Sequence, residues 1–357
     1  MKKLILSLCI LALLCGCQKA KETVETTSDA VEIGNTSESY YRMINVGASQ
    51  LRDDYYSKFS RTDDLMTIGR GLQILSDEYF SMDSYYMSEG QYLTLNTRKE
   101  LSSYYKSKDH PYSLEPAKTE KIQGISGLDM IEDIHEQDYY QKSGNQYSLS
   151  GVSFAIVLDP KSASEQESIS ITDNSLRNFA ENCIKNFYSN ISKMKSFEKI
   201  RKLPILITVF RRTDSSKSSL DGNYILKSYC DGSVGSIKSV NHKNVIFTSD
   251  ETKEIDPSTH EEFETIKNNL KKASIESASI VGKAKYIEDK IQSMTIEAHL
   301  NIKTYTELLY LTSVLENNIS TRFSSDFTIN VLVYSQDKLQ ATIIKNSGKD
   351  SITSFLN

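Results

Sequence analysis

Residues 294–345, MTIEAHLNIKTYTELLYLTSVLENNISTRFSSDFTINVLVYSQDKLQATIIK, carry the clearest folding pattern in the chain. Alternating apolar residues predict strands, and apolar residues three to four positions apart predict a helix. The order is strand Met294–Ile302, helix Tyr305–Asn317, strand Thr328–Tyr334 and strand Leu339–Lys345. Thr304 and Glu307 form a capping box at the start of the helix. This stretch therefore predicts a β-α-β-β unit.

A similar order occurs earlier in the chain. The pattern predicts strand Gly151–Asp159, helix Asp173–Met194, strand Ile205–Arg211 and strand Tyr224–Cys230. Between the two units we expect a strand from Asn244, a helix from near Pro257 with a capping box at Ser258–Glu261, and a strand over 278–286. The predicted class is α+β, with mostly antiparallel sheets, helices on one face and a duplicated β-α-β-β unit in the C-terminal part.

The part before these units is rich in tyrosine. Residues 40–145 form a Tyr-rich α+β N-terminal domain in this interpretation, and residues 146–357 form the C-terminal domain with the two repeats. Apolar spacing predicts a helix from Leu65 to Tyr79, in which Gly69 and Gly71 weaken the beginning. A second helix is predicted from the spacing of Leu128, Ile131, Ile134 and His135.

The first 39 residues predict the location of the protein. Lys2 and Lys3 precede an apolar run from Leu4 to Leu14, which is too short to cross a bilayer as a helix and is typical of a signal peptide. Leu14-Cys15-Gly16-Cys17 has the pattern of a lipobox. We expect cleavage between Gly16 and Cys17 and lipidation of Cys17, because Cys15 would follow the bulky Leu14. A plain secretory signal is the alternative.

Residues 17–39 then form a disordered tether in this interpretation, because they contain hardly any apolar side chains. The expected location is the outer face of the cell membrane, with the lipid bilayer as a partner through the acyl chains on Cys17. Two cysteines remain in the body, Cys183 and Cys230. The oxidising exterior permits a disulfide between them, but two separate buried thiols are the favoured interpretation.

Seven short segments occur in an order that resembles the CamS family of Gram-positive lipoproteins, which is associated with sex-pheromone biosynthesis. The segments are Arg70–Leu72, Glu89–Leu93, Glu136–Tyr139, Leu149–Ser153, Ser239–Asn241, Val245–Phe247 and Gly282–Ala284. The sequence departs from the family pattern at His135 and at Phe154-Ala155. The resemblance implies no catalytic residues. It implies that a fragment of the signal peptide ending at Gly16 could act as a pheromone, with simple degradation of that fragment as the alternative.

The sequence contains no motif of a known catalytic or metal site. The five histidines form no HExxH frame, and no cysteine pair has zinc-ligand spacing, so no metal and no cofactor are expected. The net charge of −5 argues against a nucleic-acid partner. His135 is expected to be a core histidine. His299 beside Glu297 on a strand is interpreted as a solvated pair, with a functional pair as the alternative.

Acidic residues and tyrosines give two further hypotheses. Asp129, Glu132, Asp133, Glu136 and Asp138 suit a cell-wall glycan hydrolase that uses paired carboxylates, but a solvated helix face is the favoured interpretation. Five Tyr-Tyr doublets would suit a folded part that binds a cell-wall glycan or a peptide. The alternative is that these tyrosines only pack within the protein. The doublets are Tyr40-Tyr41, Tyr55-Tyr56, Tyr85-Tyr86, Tyr104-Tyr105 and Tyr139-Tyr140. The sequence thus favours a non-enzymatic lipoprotein with a binding or organising role in the envelope.

Overall fold

A computed structural model describes residues 23–24, 40–58, 62–162, 171–212, 222–247, 249–274, 279–324 and 326–356. The helices are α1 Arg52–Lys58, α2 Thr62–Ser76, α3 Leu95–Ser102, α4 Asp173–Lys193, α5 Asp250–Ile255, α6 Pro257–Ala273 and α7 Tyr305–Arg322. No helix within these ranges is both long enough and apolar enough to span a membrane.

The strands form two mixed sheets and one small hairpin. The first half contains β1 Thr23–Val24, β2 Arg42–Met43, β3 Tyr86–Glu89, β4 Lys121–Ile122, β5 Ile125–Ser126, β6 Leu128–Ser143, β7 Gln146–Ser162, β8 Ile205–Arg211, β9 Asn223–Cys230 and β10 Lys238–Ser239. The second half contains β11 His242–Phe247, β12 Ser279–Ile287, β13 Lys290–Leu300, β14 Thr328–Ser335, β15 Lys338–Lys345 and β16 Ser351–Phe355. The fold is therefore α+β.

The first sheet has the order β10-β9-β8-β7-β6-β3-β2, and β1 pairs with β7 beside this path. The second sheet has the order β11-β12-β13-β14-β15-β16. In the first sheet α4 connects the parallel neighbours β7 and β8, and β9 then returns antiparallel. In the second sheet α7, β14 and β15 follow β13 with the same directions. Both stretches therefore have the β-α-β-β order that the apolar patterns predict.

The two sheets are covered differently. Buried residues of α4 and α3 pack on one face of the first sheet, and those of α2 pack with Tyr139, Val157 and Tyr224 on the other. The second sheet is covered on one face by α6 and α7. The expectation of helices on one face is thus wrong for the first sheet, because β6, β7 and β8 are buried on both faces and need a layer on each.

The most consequential difference from the sequence prediction is β6, which was expected to be a helix. Its register with β7 shifts between Asp129 and Ile131 and again between Ile131 and Asp133. Each irregularity changes which face the next side chain lies on, and both faces are buried, so the apolar residues fall at helical spacing in a strand. β6 and β7 form one long antiparallel hairpin. The domain boundary expected near residue 145 lies at its turn, so residues on both sides belong to one sheet.

Helix caps account for the starts of the later helices. Thr304 caps α7 by accepting a hydrogen bond from the Glu307 N–H at 3.1 Å, as the sequence predicts. Asp256 caps α6, where its carboxylate accepts the N–H of Thr259 at 3.0 Å and Pro257 occupies the first turn. The capping box expected at Ser258–Glu261 is therefore placed two residues too late, because the proline fixes the first turn before it.

Candidate functional site

The acidic residues of β6 do not form a solvated face. Asp133 and Asp138 are fully buried and Glu136 is nearly so, whereas Asp129 is exposed and Glu132 is half-buried. The interpretation as a solvated helix face is wrong because β6 is an inner strand of the first sheet. A buried carboxylate needs hydrogen-bond donors or a cation, and each of these three has them.

Asp133 is held by a buried arginine from α3. Arg98 Nη1 donates to Asp133 Oδ1 at 3.0 Å and to Oδ2 at 3.1 Å. The Nη2 atom of Arg98 forms an ion pair with Asp54 of α1. The Arg98 side chain is 2% exposed. This network ties two helices to the middle of β6.

Glu136 and Asp138 hold the loop that leads into α3. Glu136 Oε2 accepts the N–H of Leu93 at 2.7 Å, and Asp138 Oδ2 accepts the N–H of Gln91 at 3.0 Å. Burial raises the pKa of Glu136 to about 7, although these backbone donors oppose the shift. Burial and the neighbouring Glu136 raise the pKa of Asp138. A Cβ on Gly90 would lie 2.4 Å from Glu136 Cγ, so the close approach requires glycine.

A pocket of about 340 Å³ lies beside the beginning of β6. It is lined by Ser102, Ser103, Tyr104, Tyr105, Glu115, Asp129, Ile131 and Glu132. The lining combines aromatic rings, hydroxyls and carboxylates at the end of α3. The pocket contains one of the five tyrosine doublets and two of the carboxylates that the sequence singled out.

Glu115 forms the floor of this pocket. Its Oε2 accepts the N–H of Met130 at 2.8 Å, and its Oε1 accepts the N–H of Ile131 at 2.7 Å. Burial raises the pKa of Glu115 to about 9, against the effect of these two donors, and Asp129 nearby adds to the rise. Glu115 therefore fixes the first bulged residues of β6, and Asp129 and Glu132 are the more accessible carboxylates of the lining.

The tyrosine rings of the pocket have unequal exposure. Tyr104 is 42% exposed and stacks on His110, with ring centroids 4.0 Å apart and planes 8° apart. His110 Nδ1 lies 2.9 Å from Glu100 Oε2, and this contact holds the His110 ring in place. Tyr105 is half-buried, and its hydroxyl donates to the Gly127 carbonyl at 3.1 Å. Tyr104 therefore offers an accessible aromatic face, and Tyr105 is held in place by its hydrogen bond.

The other doublets serve mainly the core. Tyr41, Tyr139 and Tyr140 are buried, as is Tyr86, and their partners Tyr40 and Tyr85 are half-buried. Tyr55 donates to the Ile134 carbonyl at 2.9 Å and stacks on His135, with centroids 4.3 Å apart. His135 is buried, as expected of a core histidine, but it lies on a strand. Ordinary packing thus accounts for these tyrosines.

The remaining predicted residues lie apart from the pocket. Cys183 and Cys230 are buried free thiols, and burial raises the pKa of both. His299 Nε2 lies 3.7 Å from Glu297 Oε2 on the open face of the second sheet, and both side chains are well exposed. Within the described ranges, no group of three or more acidic, histidine or cysteine residues could hold a metal ion. Gly16 and Cys17 lie outside the described residues, so their roles stay predictions.

Two residues of this region could not be singled out from the sequence. Arg98 and Glu115 have partners 35 and 16 residues away along the chain. Glu115 stands between Leu114 and Pro116 in an irregular loop, where no periodicity marks it as buried. The only available signal was a charged residue flanked by apolar ones.

Comparison with known proteins shows the family. A family model described as CamS sex pheromone cAM373 precursor matches residues 48–351. A crystal structure of a sex pheromone precursor from Lactobacillus salivarius has a similar fold, with a TM-score of 0.78 and 18% identity over 92% of this chain and 99% of that one. The C-terminal domain of the sex pheromone staph-cAM373 precursor from Staphylococcus aureus gives a TM-score of 0.64 and 16% identity over 84% and 98%. No curated protein matches this sequence significantly. The chain therefore belongs to the CamS sex pheromone cAM373 precursor family.

Proposed function

We propose that this protein is a non-enzymatic lipoprotein, anchored to the outer face of the cell membrane through Cys17, whose folded body binds a cell-wall glycan in the pocket at Tyr104 and Tyr105. The pocket carries the proposal, because it joins an exposed aromatic face to hydrogen-bonding groups. An aromatic ring can stack on the apolar face of a sugar. The carboxylates of Asp129 and Glu132 would accept hydrogen bonds from sugar hydroxyls.

The negative charge of the pocket lining limits which glycans it can bind. Asp129 and Glu132 line the pocket, and Arg212 lies 3.8 Å from Glu132 and offsets its charge. Asp129 is therefore the carboxylate that would repel a polymer dense in phosphate. A neutral glycan, or one that carries a free amine, suits the pocket better. A peptide ligand is the other outcome that binding experiments can reveal.

The positions of the carboxylates argue against the rival hydrolase. Both oxygens of Glu115 are occupied by backbone N–H groups, and Asp133 is bound to Arg98. Glu132 Oε1 lies 3.8 Å from Arg212 Nη1, so this carboxylate is engaged by a cation. Glycoside cleavage requires one carboxyl group that delivers a proton to the leaving oxygen. By its raised pKa Glu115 is the candidate donor, but two backbone N–H groups restrain its carboxyl group.

Binding is tested with the body and soluble wall glycan fragments, by following the NMR signals of labelled tyrosines. Tyr104→Ala should weaken binding by at least about fivefold, because stacking is worth roughly 1–3 kcal/mol and about 1.4 kcal/mol is tenfold. Tyr305→Ala is the matched control, since Tyr305 is 56% exposed on α7, away from the pocket. Equal affinities for both variants would reject the pocket as the site. Release of shortened glycan that depends on Asp129 or Glu132 would favour the hydrolase.

Anchoring is tested separately in cells with labelled palmitate. Label should enter the wild type and Cys15→Ala but not Cys17→Ala, because only Cys17 follows a small residue that the lipoprotein peptidase accepts. Label that persists in Cys17→Ala and disappears in Cys15→Ala would show that the other cysteine is modified.

We also propose that the cleaved signal peptide supplies a pheromone. Family membership supports this second role, and the fragment from Ile10 to Gly16 has no charged side chain. Mass spectrometry of the culture supernatant should detect peptides that end at Gly16. Their absence while mature protein accumulates would remove this role.

A further inference from the structure

Residues 23–24 belong to the segment that was predicted to be a disordered tether, but they form a short strand that joins the first sheet. In β1, Thr23 pairs with Ser148 and Val24 pairs with Tyr147, antiparallel to β7. The same edge of β7 is occupied by β8 only from Val152 onward. β1 therefore covers the part of β7 next to the β6–β7 turn, where the backbone would otherwise leave unpaired N–H and C=O groups.

This pairing shortens the effective tether. Thr23 follows Cys17 by six residues. Six residues span at most roughly 20 Å even when fully extended, at about 3.3–3.6 Å each. The turn of the hairpin is thus tied close to the lipid-modified cysteine, whatever path the rest of the tether takes.

The hairpin also fixes where the pocket lies. β6 runs from Leu128, beside the pocket, to Ser143 at the turn. At roughly 3.3 Å per residue, and with some shortening by the bulges, Asp129 stands roughly 40 Å from Ser143. The pocket and the tethered turn are therefore at opposite ends of the same hairpin.

We propose that docking of β1 on β7 makes the β6–β7 hairpin an upright spacer, with its turn at the bilayer surface and the pocket held roughly 40 Å away in the cell wall. This inference rests on the proposed anchoring through Cys17. The turn suits polar headgroups, since residues 143–146 are Ser-Gly-Asn-Gln and Lys142 lies over the Tyr147 ring. A lysine at this level is attracted to anionic lipids.

The orientation can be measured with the full-length lipoprotein in vesicles that contain an anionic lipid and a lipid with a quencher on its headgroup. A fluorescent label is attached at Ser143→Cys or at Ser103→Cys, both exposed positions. Cys183 and Cys230 are buried, so they should not take up the label under native conditions. We expect the label at 143 to lose most of its emission and the label at 103 to lose almost none.

The double variant Thr23→Pro/Val24→Pro lacks the backbone donors of β1 and should not form this pairing. The label at 143 should then regain most of its emission, while the protein still floats with the vesicles. Equal quenching at 143 and 103, or quenching at 143 that the double variant leaves unchanged, would overturn the spacer. A wild-type protein that does not float with vesicles would instead refute anchoring itself, so the two failures can be told apart.

Discussion

Replacing Arg98 by methionine should destabilise the body far more than replacing an exposed arginine. Arg98 is 2% exposed at the side chain, and its partner Asp133 is 0% exposed. Arg98→Met removes two hydrogen bonds from Asp133 and leaves its carboxylate buried without a cation. Truncation of one member of such a buried pair costs about 3–5 kcal/mol. Arg52→Met is the matched control, because Arg52 is 65% exposed and lies 3.9 Å from Glu89.

The measurement is urea-induced unfolding followed by circular dichroism. Arg98→Met should lower the free energy of unfolding by about 3–5 kcal/mol, and Arg52→Met by less than about 1 kcal/mol. The double variant Arg98→Met/Asp133→Asn should recover much of the loss, because the amide is neutral and keeps an oxygen for the N–H of Ile134, which Asp133 accepts at 2.7 Å. Similar small losses for both single variants would refute the assignment of a buried, stabilising ion pair.

Three further outcomes follow from the packing. Gly71→Ala should cost about 1–3 kcal/mol, because its Cβ would lie 2.4 Å from the Tyr224 ring. Gly69→Ala in the same helix meets only a side-chain atom 3.8 Å away and should stabilise by up to about 1 kcal/mol; calorimetry of both variants compares them, and equal effects would contradict the contact. The native protein holds a proton on Glu115 up to a pKa of about 9, whereas the unfolded chain releases it near 4.5. The free energy of unfolding should therefore fall as pH rises between these values, by at most about 1.4 kcal/mol per pH unit. Glu115→Gln should remove this dependence; if the free energy of unfolding of the variant varies with pH as that of the wild type does, Glu115 is charged in the fold. The two buried thiols should react with a thiol reagent only after denaturation, and fast reaction of Cys183 in the native protein would contradict its burial.

The second sheet could be predicted from the sequence because its strands have one covered and one open face. β12 and β13 alternate between buried and accessible residues along most of their length, which is the pattern that local periodicity detects. α7 begins at Tyr305, as predicted. Buried and accessible residues also alternate over most of β14 and β15.

The first sheet could not be predicted in the same way. β6 is buried on both faces and is bulged twice near its start, so its apolar residues have a spacing that also fits a helix. The sequence alone suggests that its carboxylates face solvent, whereas in the structure they bind Arg98 and the loop 91–93. Those partners come from distant parts of the chain, and no local pattern contains them. Of the site, the sequence supplied the tyrosine doublet and Asp129 and Glu132, but not the floor at Glu115.

Two of the family segments face each other in the structure. Glu136 and Asp138 of the segment 136–139 bind the backbone of the segment 89–93. That loop leads directly into α3, whose end contributes Ser102 to the pocket and is followed there by Tyr104. The buried carboxylates therefore act on the pocket without lining it, since they set the position of the helix that does. We therefore expect the glycan binding proposed above to depend indirectly on the contact between these two segments, because that contact positions α3.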